Sequence, residues 1–361
     1  MRATAARATA RATRGIKAAL VLTLTVGAFA TAWEPRLLTP RLLTEPHRLL
    51  TVGGTLSSLI GVVSRVSAAD VVAAGEAETG GQLDAAADVP AEPEAPVPAA
   101  PEIAYLAARS IDVPATAAHP AYRVYAPAGP DVPRRVLLAL HGMDDTGPSL
   151  ASTLLDRAQA QNWVVVAPTI RYGEWKEPLQ LTQEELILAP QLVALLDAVA
   201  GETGVLTEGK ALVFGFSRGS QAALRLATFH PERVEAVAAF SAGTYTLPQS
   251  QVRTVTGTTV RAALPYGVAD LEARRGTGVN MEALRQVRVL VGVASGDTRE
   301  GEVPRQWDLY LGKSRLDRAR TYTTALQQLG VPARLTVVPG AVHGLTPQMP
   351  EQAIAFLALP A

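Results

Sequence analysis

Residues 211–219 read Ala-Leu-Val-Phe-Gly-Phe-Ser-Arg-Gly, and this stretch decides the fold. Residues 211–214 are apolar without polar alternation, which is typical of a strand buried on both faces of a sheet. Residues 220–227 are rich in good helix formers. Between the two, residues 215–219 have the pattern Gly-x-Ser-x-Gly, whose glycines permit a sharp turn from strand to helix. We therefore predict that Ser217 is a nucleophile on this turn, the alternative being a serine that only caps the helix.

The composition of the 361-residue chain sets limits on its chemistry. With 48% hydrophobic and 18% charged residues, the chain can bury a large core. Its formal net charge of +0 gives no reason to expect a nucleic-acid partner. The chain has no cysteine, which excludes disulfides, thiolate metal ligands and a cysteine nucleophile.

The first 32 residues have the pattern of an export signal. Residues 1–17 carry five basic residues and no acid, and residues 18–32 form an uncharged apolar run. The run ends in Ala-Thr-Ala at 30–32, a small-x-small pattern that precedes cleavage sites. Residues 1–32 are therefore predicted to be a cleaved signal peptide or an uncleaved signal anchor, with an Arg/Ala/Thr-rich tail or a transit peptide as the alternative. We expect an extracytoplasmic protein, either secreted or anchored to the membrane by this apolar segment.

Residues 33–102 are predicted to be an irregular extension and a linker. Within residues 36–51 the phrase Arg-Leu-Leu-Thr occurs three times, with prolines too frequent for a continuous helix. Residues 52–69 have apolar residues at helical spacing, which fits an amphipathic helix on a membrane surface or against the main domain, and fits a poorly ordered spacer at least as well. Residues 70–102 are mostly Ala, Pro, Glu and Asp, as in an extended, charged linker. We place the start of the catalytic domain at residue 103.

Residues 103–361 are predicted to form one domain of the α/β class. Apolar runs of strand length alternate with helical patterns, which indicates a mostly parallel, twisted sheet with helices on both faces. Residues 244–285 break this alternation after a predicted strand, and such an insertion could cover a site as a lid. The predicted strands are 122–126 at the sheet edge, 135–140, 163–167, 211–214, 234–240, 287–293 and 333–338, and the predicted helices are 149–161, 184–200, 220–227, 315–329 and 351–359.

A serine hydroxyl needs a base and an acid, which follow the serine along the chain in this type of fold. The chain has 5 histidines, and His343 is the one that lies in a loop after the last predicted strand. We predict that His343 is the general base. The acid is expected after the strand that ends near residue 293, where Asp297 is the first carboxylate. Asp297 would hold the imidazole tautomer, and Glu300 and Glu302 are the alternatives.

The oxyanion that develops during acyl transfer needs fixed hydrogen-bond donors. One predicted donor is the backbone N–H of Arg218, directly after the serine. The second is the backbone N–H of Met143, in the loop that follows the strand ending at Leu140. In that loop His141 is expected to support the structure rather than to transfer protons.

Four motifs follow one another along the chain: Leu140-His141-Gly142, Gly215-Phe216-Ser217-Arg218-Gly219, Gly296-Asp297 and Val342-His343-Gly344. In this order they resemble the motifs of the α/β-hydrolase superfamily, and the resemblance covers residues 103–361. Within the superfamily the chain is most similar to small serine esterases of the polyhydroxyalkanoate-depolymerase-like, feruloyl-esterase-like and dienelactone-hydrolase-like groups. The resemblance implies a Ser-His-Asp acyl-transfer mechanism, no cofactor, and an ester or amide substrate. Met143 and Asp144 stand where one lipase and esterase branch has further glycines, which disfavours that branch.

These features predict a serine hydrolase that cleaves a small-molecule or polymeric carboxylic ester. A serine peptidase of the prolyl-oligopeptidase type would share the fold and the triad, but residues 1–102 are too short and irregular for its propeller domain. A non-catalytic envelope protein that uses the fold for binding is the third interpretation. Four aromatic residues that follow predicted strands could line the substrate cleft or pack within loops: Tyr172, Trp175, Trp307 and Tyr310.

Overall fold

The computed structural model describes residues 103–360. The signal region predicted at 1–32 and the extension predicted at 33–102 lie outside the described residues. The strands are β1 (Tyr105–Leu106), β2 (Arg109–Val113), β3 (Tyr122–Ala126), β4 (Gly129–Pro130), β5 (Val136–Leu140), β6 (Val164–Pro168), β7 (Ala211–Phe216), β8 (Val234–Phe240), β9 (Gln251–Arg253), β10 (Thr259–Arg261), β11 (Arg288–Ala294) and β12 (Ala333–Val338). The α-helices are α1 (Gly147–Ser152), α2 (Leu155–Ala160), α3 (Pro178–Thr203), α4 (Arg218–Phe229), α5 (Leu271–Arg275), α6 (Met281–Leu284), α7 (Asp308–Leu311), α8 (Arg315–Gln328) and α9 (Gln348–Leu357).

The central sheet has eight strands in the order β12-β11-β8-β7-β5-β6-β3-β2. The strands from β12 to β6 run parallel, and β3 is antiparallel to both of its neighbours, β6 and β2. The inner strands are continuous apolar runs, such as Val-Leu-Leu-Ala-Leu in β5, because both faces of the sheet are covered. The predicted fold class, an α/β domain with a mostly parallel sheet and helices on both faces, is confirmed.

Side chains of the strands enter two apolar clusters, one on each face of the sheet, because successive residues of a strand point in opposite directions. Leu138 and Leu140 of β5 pack with residues of α3, α4 and α8. Leu137 and Ala139 of the same strand pack with residues of α1, α2 and α9. The helices bury both faces of the sheet, so a site has to form in the loops at the carboxyl ends of the strands.

The edge of the sheet differs from the prediction, because β2 lies outside β3 and residues 122–126 are therefore not the edge strand. β2 has the sequence Arg-Ser-Ile-Asp-Val, in which only the last residue is buried, so it gives little apolar signal. The antiparallel ladder with β3 holds this strand in place. Across that ladder Arg123 Nη2 donates to Asp112 Oδ2 at 2.6 Å, in a solvent-exposed ion pair.

The helix predicted at 149–161 is divided into α1 and α2. The Ser152 hydroxyl donates to the carbonyl of Ser149 at 2.7 Å, and the Thr153 hydroxyl donates to the carbonyl of Leu150 at 2.8 Å. Such hydroxyls compete for carbonyls that a continuing helix would use, and they favour a bend. The other predicted helices and strands are present; strands 122–126, 234–240 and 333–338 have the predicted bounds, and the rest have shifted ends. The longest extension is in α3, which begins with a proline, a residue preferred in the first turn of a helix.

Residues 244–285 connect β8 to β11 through the β9–β10 hairpin, α5 and α6. Near the start of this insertion Tyr245 is buried, and its carbonyl accepts a hydrogen bond from Trp307 Nε1 at 3.0 Å. Further along, Tyr266 stacks on Tyr310 with ring centroids 4.5 Å apart. The insertion is therefore packed on the neighbouring residues, and its role as a lid stays a prediction.

One described helix, α3, is long and apolar enough to cross a membrane when only length and composition are considered. In this fold Leu188, Leu192 and Leu195 of α3 are buried in the cluster on one face of the sheet. Packing against the sheet accounts for the apolar character of these positions.

Candidate active site

Ser217 lies on the turn between β7 and α4. Its backbone has φ 54° and ψ −113°, a conformation that residues other than glycine rarely adopt, and its N–H donates to the Phe240 carbonyl at 2.8 Å. Close packing requires both flanking glycines. A Cβ on Gly219 would lie 2.0 Å from the Leu140 carbonyl oxygen, and a Cβ on Gly215 would lie 2.6 Å from the Gly219 carbonyl oxygen. The turn presents the serine at the carboxyl end of the sheet.

The side chains of Ser217, His343 and Asp297 form one hydrogen-bonded chain. Ser217 Oγ lies 3.0 Å from His343 Nε2, and His343 Nδ1 lies 3.0 Å from Asp297 Oδ2. His343 is on the loop after β12 and Asp297 is on the loop after β11. The structure thus brings together the three residues that the sequence predicts as nucleophile, base and acid. This geometry suits proton transfer from the serine hydroxyl to the imidazole.

The imidazole of His343 is oriented by two neighbours. The ring of Phe216 stacks on it with centroids 5.7 Å apart and an interplanar angle of 23°. When the Asp297 carboxylate accepts a hydrogen bond from Nδ1, Nε2 is left free to accept the serine proton. The His343 side chain is 27% exposed, whereas that of Asp297 is 1% exposed. His343 is therefore accessible to a substrate, and the Asp297 carboxylate is shielded from water.

Arg315 belongs to this site, although the sequence did not indicate it. Its Nη1 donates to Asp297 Oδ1 at 3.0 Å and to Glu302 Oε2 at 2.9 Å, and its side chain is buried. Burial raises the pKa of Asp297, but the hydrogen bond from His343 and the charge of Arg315 outweigh burial and lower the pKa below its ordinary value. Arg315 begins a predicted helix, and no local pattern marks it as a neighbour of the acid.

The two alternative acids occupy other positions in the same loop. Glu302 accepts hydrogen bonds from Arg315 and from Arg299, the latter at 3.0 Å. Glu300 is exposed to solvent. Among the described residues, Asp297 is the carboxylate that contacts the His343 imidazole.

The two predicted oxyanion donors lie close to the serine. Arg218 is the first residue of α4, where a backbone N–H has no partner within the helix. Gly142 adjoins the serine, because a Cβ built on Gly142 would lie 3.5 Å from Ser217 Cβ, and Met143 follows as the next residue. Within residues 103–360 neither the Arg218 N–H nor the Met143 N–H donates a hydrogen bond. Both N–H groups are therefore free to donate hydrogen bonds to a substrate oxygen, and their role stays a prediction.

His141 holds the loop that carries Met143. Its Nδ1 lies 2.7 Å from the Gly142 carbonyl oxygen, and its Nε2 accepts a hydrogen bond from the Ile170 N–H at 2.9 Å. Together these contacts require the tautomer with the proton on Nδ1. Burial lowers the pKa of His141, which favours the neutral ring. Backbone groups therefore engage both of its ring nitrogens.

The other described histidines lie in different surroundings. His119 Nε2 is 3.1 Å from Glu202 Oε1, and His230 Nδ1 is 3.2 Å from Glu232 Oε1. Residues 103–360 contain no group of three or more His, Cys, Asp and Glu side chains that could hold a metal ion.

The aromatic residues considered for the cleft have different places in the structure. Trp307 is fully buried in the core, so of the two alternatives, lining the cleft or internal packing, the structure shows packing. Tyr310 stacks on Tyr266 of the insertion. Trp175 lies near the end of β8, because a Cβ on Gly243 would lie 2.6 Å from Trp175 Cζ3. Trp175 therefore stays a candidate for the wall of the cleft.

A mostly parallel sheet of eight strands, with a serine on the sharp turn after β7, defines this protein as an α/β-hydrolase. The chain belongs to the esterase family described as "Putative esterase", whose model matches residues 119–341. Membership of this family identifies the protein as a carboxylic-ester hydrolase in general terms. The matched stretch includes Ser217 and Asp297 and ends just before His343.

Solved structures share this fold. Poly(aspartic acid) hydrolase-1 from Sphingomonas sp. KT-1 is 18% identical, with a TM-score of 0.52, and the match covers 70% of this chain and 98% of that chain. The poly(3-hydroxybutyrate) depolymerase LpqC from Bordetella parapertussis is 22% identical, with a TM-score of 0.50, and the match covers 65% of this chain and 82% of that chain. Likeness at these identities shows the fold alone. No curated protein matches the chain.

Proposed function

We propose that the protein is a serine hydrolase of carboxylic esters, in which Ser217 is the nucleophile, His343 the general base and Asp297 the acid that orients the base. The observation that carries this proposal is the pair of 3.0 Å contacts that leads from Ser217 Oγ through the imidazole to the carboxylate. The esterase family supports an ester as the substrate class.

In the first half-reaction Ser217 Oγ attacks the carbonyl carbon of the ester while its proton passes to His343 Nε2. The electron pair of the carbonyl double bond moves onto oxygen, and the N–H groups of Met143 and Arg218 hold this oxyanion. The Asp297 carboxylate stabilises the imidazolium. As the carbonyl re-forms, the bond to the leaving oxygen breaks and His343 protonates that oxygen. The products are an alcohol and an acyl ester of Ser217.

In the second half-reaction water takes the place of the serine hydroxyl. His343 Nε2 accepts a proton from water while the water oxygen attacks the acyl carbon, and the same N–H groups hold the second oxyanion. Collapse of this intermediate breaks the bond to Ser217 Oγ, which recovers a proton from His343. The carboxylic acid leaves, and the enzyme returns to its starting state.

The test of this proposal is the Ser217→Ala variant, assayed on a panel of p-nitrophenyl esters of increasing acyl length. We expect turnover to fall by about 10⁴-fold or more, because the acyl-enzyme cannot form. A fluorophosphonate probe should label the wild type and not the variant. The matched control is Ser250→Ala, which removes an exposed hydroxyl and should keep both properties. Undiminished turnover in Ser217→Ala contradicts the proposal, and a wild type without labelling or turnover favours the non-catalytic binding protein.

The peptidase alternative is tested with matched substrates. Each p-nitrophenyl ester is compared with an aminoacyl p-nitroanilide of similar size, and kcat/KM is measured for both. We expect the ester to be the better substrate throughout, and a higher kcat/KM on the anilides would favour the serine peptidase.

We propose further that the hydrolase acts outside the cytoplasm, secreted or tethered by its N-terminal segment. The basic residues 1–17 and the apolar run 18–32 support this proposal. Cell fractionation combined with mass spectrometry of the N-terminus tests it. A chain beginning at Trp33 outside the cytoplasm indicates a cleaved signal, and a chain beginning at Met1 in the membrane fraction indicates an anchor. An intact chain confined to the cytoplasm would contradict export.

A further inference from the structure

Tyr172 contacts both segments that carry the predicted oxyanion donors, which are the Met143 loop and the first turn of α4. Its ring centroid lies 5.2 Å from that of the His141 imidazole, with an interplanar angle of 61°. The guanidinium carbon of Arg218 lies 4.7 Å from the centre of the same ring. His141 is in the loop of Met143, and Arg218 is the residue after Ser217. One aromatic ring therefore lies between the two halves of the predicted oxyanion hole.

The backbone beside Tyr172 is tied to the same two segments, directly to the Met143 loop and through Glu184 to Arg218. Before Tyr172 in the chain, the Ile170 N–H donates to His141 Nε2, and this hydrogen bond ties the segment to the loop after β5. After Tyr172 in the chain, the Gly173 N–H donates to Glu184 Oε2 at 2.9 Å. The other oxygen of Glu184, Oε1, accepts from Arg218 Nη2 at 2.8 Å. These contacts fix the position of the ring relative to both loops.

The side chain of Arg218 is anchored in a buried, charged environment. It is 0% exposed, and in addition to its bond with Glu184 its Nη1 donates to Glu185 Oε1 at 2.6 Å. A buried guanidinium is unfavourable unless it is paired, so this head group cannot shift without breaking a buried contact. The flat guanidinium also lies over the ring of Tyr172, an arrangement that attracts a cation to an aromatic face. Anchoring the side chain restrains the backbone N–H on the same Cα.

We propose that Tyr172 is a positioning residue for the oxyanion hole, whose ring sets the separation between the Met143 loop and the first turn of α4. The inference rests on the proposed function, because it requires an oxyanion formed at Ser217. The hydroxyl of Tyr172 is buried without a hydrogen-bond partner among the described residues, so the ring makes the contacts that matter. Full negative charge on the substrate oxygen exists only after attack. Loosening the hole therefore lowers kcat and leaves substrate binding unchanged.

Two substitutions at Tyr172 in the full chain test the proposal. Tyr172→Phe keeps the ring and removes an unpartnered hydroxyl, so we expect kcat within about twofold of the wild type. Tyr172→Leu removes the ring between His141 and Arg218, and we expect kcat about tenfold lower with KM almost unchanged. A trifluoromethyl ketone forms an oxyanion when it adds to Ser217. Its affinity should fall in Tyr172→Leu by the same factor as kcat.

Two further variants separate positioning from folding. Arg218→Lys keeps a cation beside the glutamates but loses the flat guanidinium that lies over the ring. Arg218→Lys should show the same lower kcat, unchanged KM and weaker ketone binding as Tyr172→Leu. It replaces Tyr172→Leu as the test variant if that protein does not fold. Tyr322→Leu is the control, because it removes a buried tyrosine ring that packs on Tyr245. It should lower the unfolding temperature and leave kcat within about twofold of the wild type.

Four results would overturn the inference while leaving the serine mechanism intact. The first is a wild-type kcat in the folded Tyr172→Leu and Arg218→Lys variants, and the second is a change in KM alone. The third is a lower kcat with unchanged affinity for the ketone, and the fourth is an equally lower kcat in Tyr172→Phe. A wild type that hydrolyses no ester and binds no ketone would overturn the proposed function, and this inference with it.

Discussion

Arg315 and Asp297 form a buried ion pair, with Arg315 Nη1 3.0 Å from Asp297 Oδ1 and the two side chains 5% and 1% exposed. The other oxygen of the carboxylate, Oδ2, lies 3.0 Å from His343 Nδ1. A carboxylate that is held at both oxygens has a single orientation, and it imposes a single orientation on the imidazole. The start of α8, where Arg315 lies, is thereby connected to the position of the proposed base.

Replacing Arg315 by Gln is expected to reduce both stability and activity. The substitution leaves a buried carboxylate without its cation, which lowers the free energy of unfolding by about 3 kcal/mol in comparable buried pairs. Because the Asp297 carboxylate can then turn, we also expect kcat to fall about tenfold. Urea unfolding at pH 7 and steady-state kinetics on a p-nitrophenyl ester measure these two effects.

The same substitution should shift acid unfolding. In the wild type the lowered pKa of Asp297 contributes stability that is present above about pH 4 and is lost as the pH falls through the folded-state pKa. Removing Arg315 raises that pKa, so the contribution shrinks and the acid midpoint of unfolding moves to higher pH. The matched control is Arg299→Gln, which breaks an exposed pair with Glu302 and should leave stability and kcat nearly unchanged. Equal effects of the two variants would contradict a special role for the buried pair.

Asp297→Asn is expected to lower kcat by about 10⁴-fold with little change in KM. A neutral amide cannot stabilise the imidazolium, and its NH₂ group can hold His343 in the wrong tautomer. Glu300→Gln is the matched control, because it neutralises an exposed carboxylate of the same loop and should keep kcat within about twofold of the wild type. A large loss in Glu300→Gln and a small one in Asp297→Asn would reverse the assignment of the acid.

The serine turn and the order of the site residues could be predicted because their causes are local. An apolar run followed by Gly215 and Gly219 specifies a buried strand and a tight turn. Asp297 and His343 each follow an apolar strand closely, and parallel strands place their carboxyl ends at one edge of the sheet. Sequence alone therefore placed these side chains at the same edge, and their mutual distances needed the structure.

Arg315 could not be predicted as part of the site, and Tyr172 could be named only as one of four candidate aromatic residues, because tertiary packing alone selects their partners. A charged residue at the start of a helix is ordinarily solvated, yet Arg315 is buried against a carboxylate 18 positions earlier. An aromatic residue after a strand can face a cleft or pack within a loop, and the pattern is the same for both. The polar strand β2 was not predicted for a related reason. Its strand structure depends on pairing with β3, and its own sequence has little apolar character.

Gly219→Ala is expected to destabilise the protein by about 3 kcal/mol or to prevent folding. The new Cβ would lie 2.0 Å from the Leu140 carbonyl oxygen and 2.4 Å from that of His141, and backbone atoms cannot move aside cheaply. Gly201→Ala is the matched control, because a Cβ there meets nothing within 4 Å. It should stabilise α3 by about 1 kcal/mol. Urea unfolding compares the two, and similar effects of both substitutions would contradict the close approach of α4 to β5.

The stability of the protein is expected to fall as the pH drops below about 6.5, and His141 is expected to contribute to that fall. Burial holds its pKa below the unfolded-state value, so in this range the unfolded chain binds the extra proton and the folded chain does not. The free energy of unfolding then decreases by up to about 1.4 kcal/mol per pH unit for each such group, until the folded-state pKa is reached. His230 adds a contribution of the same sign, because burial and then the charge of Arg275 lower its pKa as well.

Urea unfolding between pH 5 and pH 7, in about half-unit steps, separates the two histidines. His141→Gln removes one titrating group while its amide can still accept from the Ile170 N–H, so the pH dependence should become shallower at a modest cost at pH 7. His230→Gln should remove a second part of the pH dependence of the free energy of unfolding. The double variant should remove both parts, because the two sites share no contact. An unchanged slope in His141→Gln would show that the imidazole can take up a proton in the folded protein. The hydrogen bond from Ile170 would then have to break, and the loop of Met143 would lose the support on which the proposed oxyanion hole depends.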